Sequence, residues 1–288
     1  MRSIDTRDLV EPWQLCPYDD MIGTTVDITH ANSFFFDEDE KAIYLNCRNT
    51  NTFYKIDYIT GKKVWGIGEY GNFTLFDIYG NQKENLFYHC HALDKIDENT
   101  FILFDNDFHN QTDALSKQSR FVEITIDEDK MYANTTWQWI PPSDYWSSMC
   151  GDCNYLANKN KLGIFPRRSY QGTPEGSKVI EVDNDGNIVG EFMLPPDEET
   201  KYSSYRIERF RFSPIVSQPI ITEDNGTISF DWQVWYNFKS KTNFTGKYYL
   251  YLDDQQILTG NILFHKYPIS VTKLNQLKSA YFTIYYFM

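Results

Sequence analysis

The chain is short of positive charge, of histidine and of cysteine, and helical periodicity is nearly absent. Against 40 Asp and Glu it sets 27 Lys and Arg, a net charge of −13 over 288 residues. Nucleic acids and anionic membrane surfaces are gripped through a basic footprint, so neither is expected as a partner. Five cysteines, an odd number, do not describe a disulfide framework. The first sixteen residues carry charges where a signal peptide needs an apolar run. The apolar end, YFTIYYFM, is far shorter than a membrane span. Secretion signal and membrane span are therefore both missing from the sequence as read, and the compartment stays open.

What is present is aromatic. With 41% hydrophobic and 17% aromatic residues, the chain can bury a sizeable core. Its apolar residues alternate, or come in short runs between Asn, Asp and Gly turns, the pattern of strands. One pattern recurs three times, opening near Ile28, Tyr88 and Met149. Within it, YKIDYITGK, VEITIDEDK and IEVDNDGN each place an aspartate after alternating residues, followed by a polar turn and a further strand. Four short strands repeating at this period describe the blade of a β-propeller. The expected fold is all-β: a partial β-propeller of about three complete four-stranded blades plus part of another, YSSYRIERFRF. The boundaries read as a lead-in over 1–26, blades over 27–214, and a β-rich, immunoglobulin-like or sandwich-like segment over 215–288, a divergent last blade being the other reading. Three blades and a fraction do not close a ring, which points to a fragment of a longer chain or to a homodimer.

The first strand of a propeller blade lines the central channel, so residues at its head converge. His30, His91 and Asp152 fall at equivalent places, 61 residues apart. With His89 and Arg206 they make one candidate site. An anion pocket for that site can be drawn from Arg120, Arg167, Arg168, Arg206, Arg209 and Arg211, though solvated surface arginines are the plainer reading for half of them. A second idea is zinc: His89 and His91 share a strand face, and Cys150-x-x-Cys153 lies in the neighbouring blade. Against it, two cysteines so spaced on a strand rarely converge, and the expected metal set is none. The acidic turns at Asp37 to Lys41 and Asp127 to Lys130 lack the ligand spacing of a calcium loop and read as solvated hairpin tips. Trp65, Trp137 and Trp139 read as packing between blades, whereas Tyr145 and Trp146 are placed to flank an aromatic substrate. Sequons at Asn72, Asn110, Asn134, Asn225 and Asn243 would suit a glycoprotein, and an Asn-rich chain also produces them by chance.

Several of these stretches follow one another in a telling order: His30-Ala31-Asn32-Ser33, Cys47-Arg48, Tyr54-Lys55-Ile56-Asp57, Thr60-Gly61, Trp65-Gly66-Ile67-Gly68, Cys90-His91-Ala92, Phe104-Asp105-Asn106, Ser119-Arg120, Gly151-Asp152-Cys153 and Ser204-Tyr205-Arg206. In that order, over roughly 27 to 215, the chain resembles the arylsulfotransferase family, propeller enzymes that move a sulfuryl group between phenols without a nucleotide donor. The resemblance implies an aryl sulfate and a phenol as small-molecule partners, no cofactor, and a secreted or periplasmic location. It implies His30 and His91 as catalytic residues and Asn32, Asn106, His109, Arg120 and Arg206 as substrate-binding ones. His109 stands where the family carries an arginine, and between His109 and His265 there is no histidine to match the family's late nucleophile. A reading from another class follows from that gap: a non-catalytic propeller that binds a carbohydrate or protein through the same funnel.

Overall fold

The structure is a computed structural model, and it describes residues 29–107, 118–142, 145–156, 158–168, 174–195, 204–209 and, beyond these, 215–217, 220–224, 227–235, 244–252, 255–264, 269–275 and 282–287. The lead-in over 1–26 lies outside them. The chain divides into two compact units, one of Met1–Tyr155 with Lys161–Ile207 and the other of Leu156–Asn160 with Glu208–Met288.

The first unit is a succession of antiparallel meanders. Blade 1 is β1 (Ala31–Asp37), β2 (Ala42–Cys47), β3 (Thr52–Asp57) and β4 (Lys63–Gly68), in that spatial order. A hairpin of β5 (Thr74–Phe76) and β6 (Gln82–Lys83) comes next in the chain. Blade 2 is β7 (His91–Lys95), β8 (Thr100–Asp105), β9 (Arg120–Asp127) and β10 (Tyr132–Trp139); blade 3 is β11 (Asp152–Tyr155), β12 (Lys161–Arg168), β13 (Pro174–Val182) and β14 (Ile188–Leu194). The three sheets match the three sequence repeats. No α-helix occurs among the described residues. The repeated aspartates have a local task. Asp57 accepts the Thr60 N–H, Asp127 the Lys130 N–H, and Asp183 the N–H groups of Asp185 and Asn187. Each closes the turn into its blade's fourth strand as an Asx turn.

One element departs from the repeat. The β5–β6 hairpin joins blade 2, with β5 running parallel to β10, so that sheet has six strands. It covers the outer edge of blade 2, an edge that would otherwise offer unpaired backbone groups. Blade 1 is treated differently: Gly66 donates to the Asn72 side chain and accepts from the Asn72 N–H.

The cores lie between blades. Tyr44, Phe53 and Trp65 of blade 1 wedge against Phe87 and Phe101, with ring centroids 4.9–6.4 Å apart. Phe104 and Phe121 meet Trp139, Tyr145 and Phe165 in the same manner between blades 2 and 3. Trp65 and Trp139 are thus inter-blade core, as their position suggested. Tyr145, placed by the sequence reading beside an aromatic substrate, is instead a buried core ring: it packs on Phe165 under the Lys178 ammonium and bonds Glu191. Two buried lysines tie the same seams. Lys95 reaches Asp37, Glu40 and Tyr44, and Lys161 reaches Glu123 while lying over the Trp137 ring. The wedges bring the three first strands side by side, with β7 next to both β1 and β11.

The second unit holds β15 (Ile215–Val216), β16 (Ile220–Asp224), β17 (Thr227–Trp235), β18 (Phe244–Leu252), β19 (Gln255–Phe264), β20 (Ile269–Asn275) and β21 (Phe282–Phe287). β15 and β16 pair in succession with β17, whose other edge takes β20. β19, β18 and β21 make a second sheet. This connectivity is not the meander of a blade.

Candidate functional site

The heads of the three first strands are built alike. A non-glycine residue one or two places before each is left-handed: His30, one before β1, at φ 45°, and His89 and Cys150, two before β7 and β11, at 53° and 61°. Non-glycine residues pay a steric cost there, and such strain gathers where a fold holds something in place. What holds the second and third heads is an asparagine from the blade before. Asn46 donates to the Cys90 carbonyl at 2.8 Å, and Asn106, sixty residues on, donates to the Cys150 carbonyl at 2.9 Å. Asn32 gives the first junction a second bond, at 2.9 Å to the Cys90 carbonyl, and its own amide oxygen accepts from Asn46.

His91 sits inside this frame, buried. The second N–H of the Asn106 amide goes to the Ser147 carbonyl, so both of its donors are committed and its oxygen must face His91 Nδ1, 2.7 Å away. Nδ1 is therefore the protonated nitrogen, and Nε2 accepts the Cys150 N–H at 3.2 Å. Burial, helped by the nearby charges of Arg48 and His30, lowers the pKa to about 4 against the pull of the Asn106 and His89 hydrogen bonds. At neutral pH this imidazole is uncharged and engaged at both ends.

The segment after blade 3 lies against these heads. Tyr205 accepts the Gly151 N–H through its carbonyl, and Ile207 is held by Asp152 and Asn154, the way Leu93 is held by Ser33 at the blade 1–2 junction. Residues 204–209 form no strand, yet Tyr205 to Ile207 stand where the next blade's first strand would begin. Two side chains turn back from it. The Tyr205 ring meets His91 edge to face at 5.8 Å, and Arg206 donates to the Asn32 carbonyl at 2.7 Å, 174 residues away in sequence. Arg206 also lies against the Tyr205 ring, 5.6 Å from its centre. On the opposite side, Arg48 donates its backbone N–H to the His30 carbonyl at 3.2 Å, and the His30 side chain is exposed. Burial raises the Tyr205 hydroxyl pKa, while the charges of Arg206 and Arg48 oppose the rise. His30, Arg48, His91, Tyr205 and Arg206 thus share one place, a cationic spot on an acidic protein.

The sequence model of the family described as Arylsulfotransferase (ASST) matches residues 5–206, the whole of this construction. The chain belongs to the arylsulfotransferase family. No curated protein matches it. Among solved structures it is similar to hydrazine synthase of Kuenenia stuttgartiensis (11% identity, 75% of this chain and 59% of that one, TM-score 0.31). Others are an exo-β-1,3-galactanase of Phanerochaete chrysosporium (11%, 90% and 64%, 0.33) and the α-L-arabinofuranosidase of Podospora anserina (12%, 72% and 66%, 0.33). The chain spans about three fifths to two thirds of those structures, and likeness at that level fixes no activity.

Of the arylsulfotransferase residues expected from sequence, the structure brings His30, Asn32, His91, Asn106 and Arg206 together. Arg120 is occupied elsewhere: its Nε bonds Asp105 at 2.9 Å, Nη1 bonds Gln138 and Nη2 bonds the Leu86 carbonyl. His109 and Arg211 lie outside the described residues, as do the side chains of Arg167 and Arg168. Among the described residues no group of three or more His, Cys, Asp or Glu side chains is placed to hold a metal ion. The zinc alternative also loses its geometry: Cys153 packs in the blade 2–3 core, and Cys150 meets His91 through its backbone N–H. Two residues of the site went unnamed as candidates, Arg48 and Tyr205. Both stand in the family-like stretches, Cys47-Arg48 and Ser204-Tyr205-Arg206, and that order was their one signal.

Proposed function

We propose that the chain binds an aryl sulfate at the heads of its first strands and passes the sulfuryl group to a phenol. The observation that carries this reading is Arg206. Its bond to the Asn32 carbonyl sets a guanidinium from beyond blade 3 beside the first strand of blade 1, where His30 and Arg48 already stand. A planar fork suits sulfate oxygens because it donates parallel hydrogen bonds. In the transfer the bond from sulfur to the leaving aryl oxygen breaks and one to the acceptor oxygen forms. His30, whose side chain is exposed, takes the acceptor's proton as general base, and the leaving phenolate departs into solvent. This direct route asks for no late histidine nucleophile. Asn106 and His91 hold the frame.

The test is release of nitrophenol from 4-nitrophenyl sulfate in the presence of phenol. Release should depend on phenol, with phenyl sulfate appearing in step, and should fall about a hundredfold in Arg206→Ala and in His30→Ala. Folded protein that releases nothing would sink the catalytic reading and leave a binding propeller in its place.

A further inference from the structure

The side chains that the transfer reading uses do not all have the freedom that chemistry needs, and the difference assigns their roles. We propose that Tyr205 and Arg206 are the recognition pair of the site, the ring for the aryl group and the guanidinium for the sulfate oxygens, while His91 is a positioning residue that backs the Tyr205 ring and transfers no proton.

The assignment rests on the sulfuryl-transfer reading for the identity of the ligand alone; the geometry stands without it. Arg206 spends one Nη2 hydrogen on the Asn32 carbonyl. Its remaining N–H groups have no partner among the described residues, and the side chain is exposed. One edge of the fork is thereby aimed and the other is open. This is the arrangement an oxyanion needs, since the orienting bond removes rotamer freedom before the ligand arrives. The charged groups that act on the neighbouring His91 and Tyr205 are Arg48 and His30 from the blade 1 side and Asp152 from the head of β11, with the Cys150 thiol beside Tyr205. Two of the three charge-bearing groups favour an anion. Arg120, by contrast, has Nε, Nη1 and Nη2 all bonded within the protein, so it offers an anion no comparable edge.

Tyr205 is 44% exposed although its ring touches buried His91. An aromatic ring in that position can take a second ring against its free surface, and aromatic pairs favour offset or edge contact. The ring and the fork are consecutive residues on one short segment, so a ligand with an aryl group joined directly to a sulfate matches their spacing. An alkyl sulfate would use the fork and leave the ring idle.

His91 differs in kind. A proton carrier must gain or lose a proton at a nitrogen that faces the ligand. Here Nδ1–H is fixed by an asparagine whose own donors are committed, and Nε2 accepts a buried backbone N–H. Protonating Nε2 would break that bond and strand the Cys150 N–H. The imidazole instead offers its surface to Tyr205.

Calorimetric titration of the full chain with 4-nitrophenyl sulfate, methyl sulfate and inorganic sulfate tests the pairing without relying on turnover. Arg206→Ala should weaken all three by about tenfold or more, and Arg206→Lys should recover only part of it. Tyr205→Leu should weaken 4-nitrophenyl sulfate about tenfold and leave the other two unchanged. Equal losses for all three ligands in Tyr205→Leu, or unchanged binding in Arg206→Ala, would overturn the pairing. For His91, the replacement His91→Gln should raise the KM for 4-nitrophenyl sulfate while kcat and the pH profile of transfer stay as in the native chain. A lost limb of that profile would make His91 a proton carrier. Should His91→Gln not fold, the same question goes to Asn106→Asp, which leaves His91 in place but gives its Nδ1 a carboxylate and should raise the KM without adding a pH limb. Tight, aryl-selective binding without transfer would refute the catalytic reading and leave this one standing.

Discussion

A single imidazole shows how burial converts a titratable group into a fixed part. His91 keeps a pKa of about 4 in the folded chain against an ordinary 6.5, chiefly because burial disfavours its charged form. Below pH 6.5 the unfolded chain takes up a proton there and the folded chain does not, so folding weakens as the pH falls from 6.5 towards 4. The interval corresponds to roughly 3 kcal/mol for this one residue. Urea unfolding of the native chain should lose about that much between pH 7 and pH 4 beyond what His91→Gln loses. Parallel curves for the two proteins would show that His91 takes up its proton alike in both states. The thiols behave in the same sense. Burial pushes Cys47 up to about 12 and Cys90 well above the ordinary thiol range, so neither contributes a nucleophile at neutral pH.

At the scale of the element, the unit of construction is the joint between one blade's second strand and the next blade's head. Asn46 is fully buried and serves three partners: the Cys90 carbonyl, the Asn32 amide oxygen and the Cys90 thiol. Replacing it with alanine takes one of two donors from the buried Cys90 carbonyl, which keeps Asn32, and removes the acceptor of the buried Cys90 thiol and a donor to the Asn32 amide oxygen. Asn46→Ala should therefore cost roughly 2–3 kcal/mol, several times the cost of Asn81→Ala in the exposed β5–β6 turn, as measured by denaturant midpoints. The blades themselves were legible in the sequence because a turn aspartate after alternating residues recurs at Asp57, Asp127 and Asp183, and each of these closes a turn. The β5–β6 hairpin was not, since strands of three and two residues carry no period and a parallel partner in another blade leaves no local mark. The site was legible in part. Order along the chain pointed to His30, Asn32, His91, Asn106 and Arg206. It could not tell that Arg120 would spend its fork on Asp105, Gln138 and Leu86, or that both His91 nitrogens would be taken, because those outcomes depend on neighbours 15 to 59 residues distant.

For the whole molecule the leading fact is the conflict between a net charge of −13 and a site lined by Arg48, Arg206 and His30. The two act over different distances. The summed negative field works over tens of ångströms, and salt removes it first: the Debye length shrinks from roughly 30 Å at 0.01 M to about 10 Å at 0.1 M. A guanidinium touching a sulfate oxygen at hydrogen-bond distance is screened far less. A protein whose anion site sits in a basic field loses anion capture as salt rises, because salt cancels the steering. Here the opposite sign is expected. Between 10 and 100 mM of a salt that does not compete for the site, the KM for 4-nitrophenyl sulfate should fall or hold level, and the association rate should rise. A KM that climbs steeply over that range would mean that the arginines govern the field well beyond their own contacts, and that the acidic surface lies too far from the heads of the first strands to oppose the ligand's approach.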